Sequence, residues 1–187
     1  SFRYPRVGTS NAEVSLGVIG VEGGPTRWVE WDAASYPYLA RVVWQTNAPL
    51  SLVVQNRAQT EELVLAADES NGTTRRLLVE RDPAWVNLDD SLLPHWTPDG
   101  SGFLWSSEAS GAWELELRGP DGSRQRTLVP AALGYQALAG VDEERGGSLL
   151  SAGVLIGPAT VIVAMGLLLP IVILFRYSLN QFKPRVM

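Results

Sequence analysis

The sequence predicts an all-β region over residues 1–145 followed by one apolar α-helix over residues 149–176, and three observations carry that reading. Residues 1–145 are a succession of short runs rich in Val, Leu and Trp, each bounded by turn formers. Asn71-Gly72, Asp99-Gly100 and Asp121-Gly122 are dipeptides that favour positive φ in tight hairpins. Charge then stops: from Gly146 to Phe175 there is no Asp, Glu, Lys or Arg.

In chain order, "AEVSLGVIGV" is cut by Gly23-Gly24-Pro25 and followed by "TRWVEW". Then come "YLARVVWQ", "LSLVVQNR", "ELVLAAD" and "TRRLLVE", and after them "GFLWSSE", "WELELRG" and "RQRTLV". None of this region holds apolar residues at i, i+3, i+4, i+7 for three turns, so period-3.6 helices are excluded there. The runs also repeat. Residues 39–80 can be laid on 92–129 so that Trp44 matches Trp96 and Asn71-Gly72 matches Asp121-Gly122. The offset is about 50 residues with four short strands per unit, the period of a propeller blade. The expected architecture is a partial β-propeller of about two complete blades, with two strands of a preceding blade at 13–31 and "GYQALAGVDEE" opening another.

Charge divides the same way. Residues 1–145 carry 12 Arg, no Lys and 20 acids, a net of −8, whereas residues 146–187 carry Arg176, Lys183 and Arg185 with no acid, a net of +3. An acidic first part argues against nucleic acid, which requires a basic face. No cysteine is present and His95 is the single histidine, so no thiol chemistry and no metal or cofactor site is legible. Acyl transfer needs an exposed Ser, a His and a carboxylate, and the Gly-x-Ser-x-Gly turn that presents such a Ser does not occur. His95, between Pro94 and Trp96, reads as structural. Glu61-Glu62 reads as the solvated face of a hairpin turn, and Asp142-Glu143-Glu144 as a solvated acidic turn. Asn71-Gly72-Thr73 reads as a hairpin turn before a glycosylation acceptor. Trp28, Trp44, Trp96, Trp105 and Trp113 fall at strand positions and are expected in the blade core.

"RYPRVGTSNAEVSLGVI", "YLARVVW", "VVQNRAQ", "WVNLDDSLLPHWTPDGSGFLWSSEASG" and "LAGVDEE" resemble the N-terminal propeller region of bacterial dipeptidyl peptidase IV over residues 3–144. The blocks at Tyr4-Pro5-Arg6 and Trp85-Val86-Asn87 are the more specific part. The resemblance implies a secreted or periplasmic serine exopeptidase, in which an eight-bladed propeller caps an α/β-hydrolase domain and admits only the chain ends of peptides. Residues 1–145 are then a non-catalytic piece whose partners are the other blades, the hydrolase domain and, in the complete enzyme, a peptide. The family's amine-holding glutamates belong to a segment upstream of Tyr4-Pro5, so Glu61-Glu62 does not inherit their role. The loop after Trp85-Val86 approaches the substrate cavity in relatives, which makes Asp89 and Asp90 the candidate substrate-side residues.

From Ala152 to Phe175, 14 of 24 residues are Val, Leu, Ile or Phe. As a helix that stretch reaches about 36 Å against a hydrocarbon core of about 30 Å, long enough to cross a membrane with Arg176-Tyr177 as its flank. Pro158 is tolerated in the first turns, and Pro170 is expected to kink the helix. "LLSAGVLIGPATVIVAMGLLLPIVILFRYSLNQFKP" resembles the first transmembrane helix of an ABC-transporter permease of the spermidine/putrescine type. Three basic residues after the helix place the polar tail, 177–187, in the cytoplasm and residues 1–145 outside a bacterial membrane. The chain opens on Ser-Phe-Arg, and both resemblances stop near 145–150, each without its functional remainder. That predicts a fragment of a peptidase propeller joined through Gly146-Gly147-Ser148 to a permease-like helix. The alternatives are a membrane-tethered propeller that binds a partner and a fragment of a permease.

Overall fold

The structure, a computed structural model, describes residues 12–88 and 93–141 and, beyond them, the backbone of three short strands. Strands β1 (Leu16–Val18) and β2 (Arg27–Val29) form an antiparallel pair. Strands β3 (Tyr38–Val43), β4 (Leu50–Gln55), β5 (Glu61–Ala67) and β6 (Thr74–Arg81) form a four-stranded antiparallel meander, the first blade. Strands β7 (His95–Trp96), β8 (Phe103–Ser107), β9 (Glu114–Arg118) and β10 (Arg124–Val129) repeat it as the second. A 3₁₀ turn at Ala131–Leu133 leads to β11 (Leu138–Val141). Two complete blades, a two-stranded sheet before them and a strand after them match the expected repeat.

Burial explains why the strand runs are so apolar. The first blade is covered on both faces, so β4 is buried at every position rather than at alternate ones. Leu50, Leu52, Val54, Leu63 and Leu65 pack with Val29 toward β1–β2. Val53, Val64 and Ala66, on the other face, join Trp96, Phe103 and Leu104 of the second blade in one cluster that continues to Leu138. Each Val, Leu and Phe among them contributes roughly 1.5–3 kcal/mol by leaving water. The Trp96 and Phe103 rings lie 5.0 Å apart at 45°, and the Trp96 indole nitrogen donates to Ser51 Oγ at 2.9 Å across the seam. Trp28 and Trp44 depart from expectation, at 59% and 57% exposed. Alternation accounts for Trp28: Val29 takes the side of β2 that faces the first blade, and its neighbour points away.

The hairpin glycines set how closely the blades approach. Gly122, in the β9–β10 turn, has φ +87°, and a Cβ there would lie 1.8 Å from the Leu77 carbonyl oxygen on β6. Gly72, in the β5–β6 turn, has φ +82°, and its Cβ would lie 2.1 Å from the Trp28 carbonyl oxygen on β2. Each blade thus lays its outer hairpin on the outer strand of the blade before it. Main-chain and side-chain bonds fasten the contact: Glu30 N–H donates to Gly72 O at 2.8 Å, and Arg75 donates to Pro120 O at 3.0 Å.

The transmembrane helix expected over 149–176 is where sequence and structure part. Three segments of that run are described, and all are strands: β12 (Val154–Gly157), β13 (Thr160–Val163) and β14 (Ile171–Ile173). They join β11 in a sheet of order β11-β14-β13-β12, with Leu138 opposite Ile173 and Val154 opposite Val163. The physical reason lies in residue type. Val, Ile and Thr are β-branched, Gly157-Pro158 and Pro170 break helices, and β11 offers an unpaired edge. The rest of 149–176 lies outside the described residues, and among the described residues no helix is long and apolar enough to cross a membrane.

Candidate functional site

Antiparallel meanders bring alternate connections to one rim. The β4–β5 hairpin, the connection from β6 to β7 and the β8–β9 turn therefore lie together, and between them a cleft opens where the two blades meet. Its mouth is built by the β6–β7 connection. Asp82 Oδ1 accepts the N–H groups of Ala84 and Trp85 at 2.7 and 2.9 Å, which turns the chain at Pro83. Asp82 N–H and Val86 N–H donate to Thr60 O and Gln59 O at 3.1 and 2.8 Å, tying the connection to the first blade. Asn87 Nδ2 donates to Glu108 at 2.6 Å, tying it to the second. Val86 is buried beneath it, and Trp85 is left half-exposed at the rim.

The floor is polar. Gln55, Glu62 and Glu80 are register partners on β4, β5 and β6, so they stand in a row on the face turned toward the second blade. Glu62 is 3% exposed and Glu80 9%. Glu62 Oε2 accepts Gln55 Nε2 at 3.1 Å, and Glu80 Oε1 accepts the Trp105 indole N–H at 3.0 Å across the seam. Arg41 lines the same cleft and donates to Leu93 O at 2.9 Å. Burial pushes the Glu62 carboxyl up to about 7, with the Glu80 charge adding to it and the Gln55 bond and Arg41 opposing it. Burial also raises Glu80, against the bonds from Ser107 and Trp105 that favour its ionised form.

This corrects the reading of Glu61-Glu62 as a solvated turn face. Glu61 is partly exposed and takes Arg81 Nε at 2.7 Å and the Tyr36 hydroxyl, whereas Glu62, one residue on, points into the seam. Strand alternation separates the two, and it is the second blade that closes over Glu62. Acids near turns ordinarily face water, and Leu63, in phase with Glu61, is buried as Val64 is, so alternation by itself does not single out Glu62. His95 is buried on β7 opposite Leu104. Asn71 Oδ1 accepts the Thr73 N–H at 2.8 Å, which makes Asn71-Gly72-Thr73 a hairpin turn. Trp96 and Trp105 are buried and Trp113 partly so. Asp89, Asp90 and Asp142-Glu143-Glu144 lie outside the described residues, although Leu88 and Leu93, which flank the first pair, both line the cleft. Among the described residues no three His, Cys, Asp or Glu side chains converge as metal ligands.

The family profile described as Dipeptidyl peptidase IV (DPP IV) N-terminal region matches residues 1–148. The chain belongs to that family. Among solved structures, it is similar to Porphyromonas gingivalis dipeptidyl peptidase 4, with 24% identity and a TM-score of 0.66. That match covers 75% of this chain and 20% of the other. A Bacteroides ovatus protein assigned to dipeptidyl aminopeptidase IV gives 19% identity and a TM-score of 0.51, over 65% of this chain and 17% of the other. These likenesses support the propeller fold. The chain spans about one-fifth of the length of the solved proteins it matches.

Proposed function

We propose that residues 1–145 are the non-catalytic propeller region of a dipeptidyl peptidase IV-like serine exopeptidase, working with further blades and a hydrolase domain to limit which peptides reach the catalytic serine. The observation that carries this reading is the family match over residues 1–148 on a chain whose sequence holds no Gly-x-Ser-x-Gly turn. The rim cleft is the surface that faces the peptide's route. Asp89 and Asp90 are taken as the substrate-side residues; in the sequence they fall between Leu88 and Leu93, which line that cleft. Two assays test it. This chain alone is expected to leave a dipeptidyl-proline chromogenic substrate uncleaved. Joined to a hydrolase domain, Asp89→Ala and Asp90→Ala are expected to raise KM for peptides with a charged amino terminus. Unchanged kinetics in both variants would remove the two residues from the site.

A second reading concerns residues 149–176, and the absence of charge from Gly146 to Phe175 favours it. In this reading the run tethers the propeller to a bacterial membrane as a permease-like helix, with residues 1–145 in the periplasm or outside the cell. The described strands β12–β14 point instead to a further sheet continuing from β11. Extraction at alkaline pH separates the two: a tether stays with the membrane pellet, and a soluble sheet is released. If the tethered propeller acts as a binding module without a peptidase, it is expected to melt cooperatively by itself, whereas open blade edges without partners lead to aggregation.

A further inference from the structure

We propose that Glu62 and Glu80 hold a single proton between them and so make the seam between the two blades a pH-sensitive joint, closed while the proton is kept and hydrated once it leaves. The inference starts from placement. Glu62 and Glu80 are direct cross-strand partners on the same face of the first blade, within reach of each other, and both are at least nine-tenths buried. Among the described residues neither forms an ion pair; Gln55 and Trp105 are their hydrogen-bond donors, with Ser107 also bonding Glu80. Two carboxylates so close and so dry do not both ionise cheaply.

The surrounding charges leave room for one proton. Arg41 on β3 faces Glu62 and favours its ionised form. On β9, Arg118 favours the charge on Glu80, but Glu116 opposes it and takes Arg118 at 2.5 Å, with Arg124 of β10 on its other oxygen at 3.2 Å. Asp82 of the connection and Glu108 of the β8–β9 turn add further negative charge at the cleft mouth. His95 sits next to Trp96 on β7, and alternation puts it on the face opposite the indole that meets Ser51. Glu61 and Arg81 pair with each other. Arg41 donates to Leu93 O, and Arg118 to Glu116 and Gly122 O, so among the described residues no cation forms an ion pair with either Glu62 or Glu80. When that proton leaves, the nearest route to water is the cleft, and water entering there reaches the Trp105 indole that spans the seam.

The test follows tryptophan emission of the full chain in mild detergent from pH 5 to pH 9, with Trp105→Phe identifying the Trp105 component. A red shift of that component with a midpoint near 7 is expected. Glu62→Gln is expected to abolish the transition and keep the blue-shifted emission at pH 9. Glu80→Gln, which removes the like-charged neighbour and needs no change at Glu62, is expected to move the midpoint down by about one unit. Thermal unfolding gives a second readout. A carboxyl whose folded pKa is raised adds stability below its unfolded value, and that stability is lost as pH rises from about 4.5 toward 7. The wild-type melting temperature should therefore fall across that window more steeply than that of Glu62→Gln. A transition unchanged in Glu62→Gln, or a midpoint that stays or rises in Glu80→Gln, overturns the proposal.

Discussion

Replacing Gly122 with Ala tests whether the blades are in contact where their hairpins meet. Gly122 and Gly111 sit at turns of the second blade with nearly the same backbone, φ +87° and +91°. An Ala at either costs about 1–2 kcal/mol, because its Cβ crowds the carbonyl in the left-handed region. Their surroundings differ. A Cβ at Gly111 meets nothing within 4 Å, whereas one at Gly122 lies 1.8 Å from Leu77 O and 2.5 Å from Leu77 C. Relief requires β6 to withdraw by more than 1 Å from a hairpin it packs against. Forcing atoms into a packed site costs about 1–3 kcal/mol, so Gly122→Ala should destabilise by about 2 kcal/mol more than Gly111→Ala. For a domain of this size that difference lowers the melting temperature by about 4–8 °C. Circular dichroism melts of both variants in the full chain, under one buffer and detergent, measure it directly. Equal melting temperatures would refute the reasoning, because backbone strain would then be the whole effect and the seam contact none of it. Gly72→Ala, 2.1 Å from Trp28 O, should follow Gly122→Ala.

Two further outcomes follow from the polar groups. Glu116, 2% exposed, holds Arg118 and Arg124, so Glu116→Gln should cost about 3–4 kcal/mol in urea unfolding by leaving a largely buried guanidinium uncompensated, and adding Arg118→Leu should recover part of that loss. If the double variant is no more stable than the single one, the pair is not what holds that site. Asp99 is lowered to about 2 by the Thr97 hydroxyl and the backbone and hydroxyl of Ser101. Its stabilisation is thus present above about pH 4 and fades as pH falls toward 2, and Asp99→Asn should flatten the acid limb of a melting profile across that window.

The fold was legible to different depths along the chain. Turn dipeptides such as Asn71-Gly72 and Asp121-Gly122 are local chemistry, and the hairpins stand where those residues are. The four-strand unit was readable because each run between turns has strand length and composition. The site was not readable in the same way. Alternation separates Glu61 from Glu62, but a blade covered on both faces leaves apolar residues at every position of β4 and gives no cue to which acid is buried. Trp28 and Trp44 were misjudged for the converse reason: their apolar bulk suits a core, but no described element covers them. Over 149–176, hydropathy measures transfer out of water and is the same for a helix in lipid as for strands against a protein face. Partner edges and breakers such as Pro158 and Pro170 choose between the two.

What the sequence determined by itself was therefore whatever depends on neighbours along the chain: strand runs, turn positions, the four-strand repeat and the place where charge ends. The tertiary structure decided which faces meet. It set Gly122 against Leu77, carried the Trp105 indole to Glu80 and enclosed Glu62 beside Glu80. Those pairings depend on the approach of one blade to the next. Periodicity within a strand carries no information about the surface that will cover it, and burial, which gives the two carboxylates their chemistry, comes from that surface.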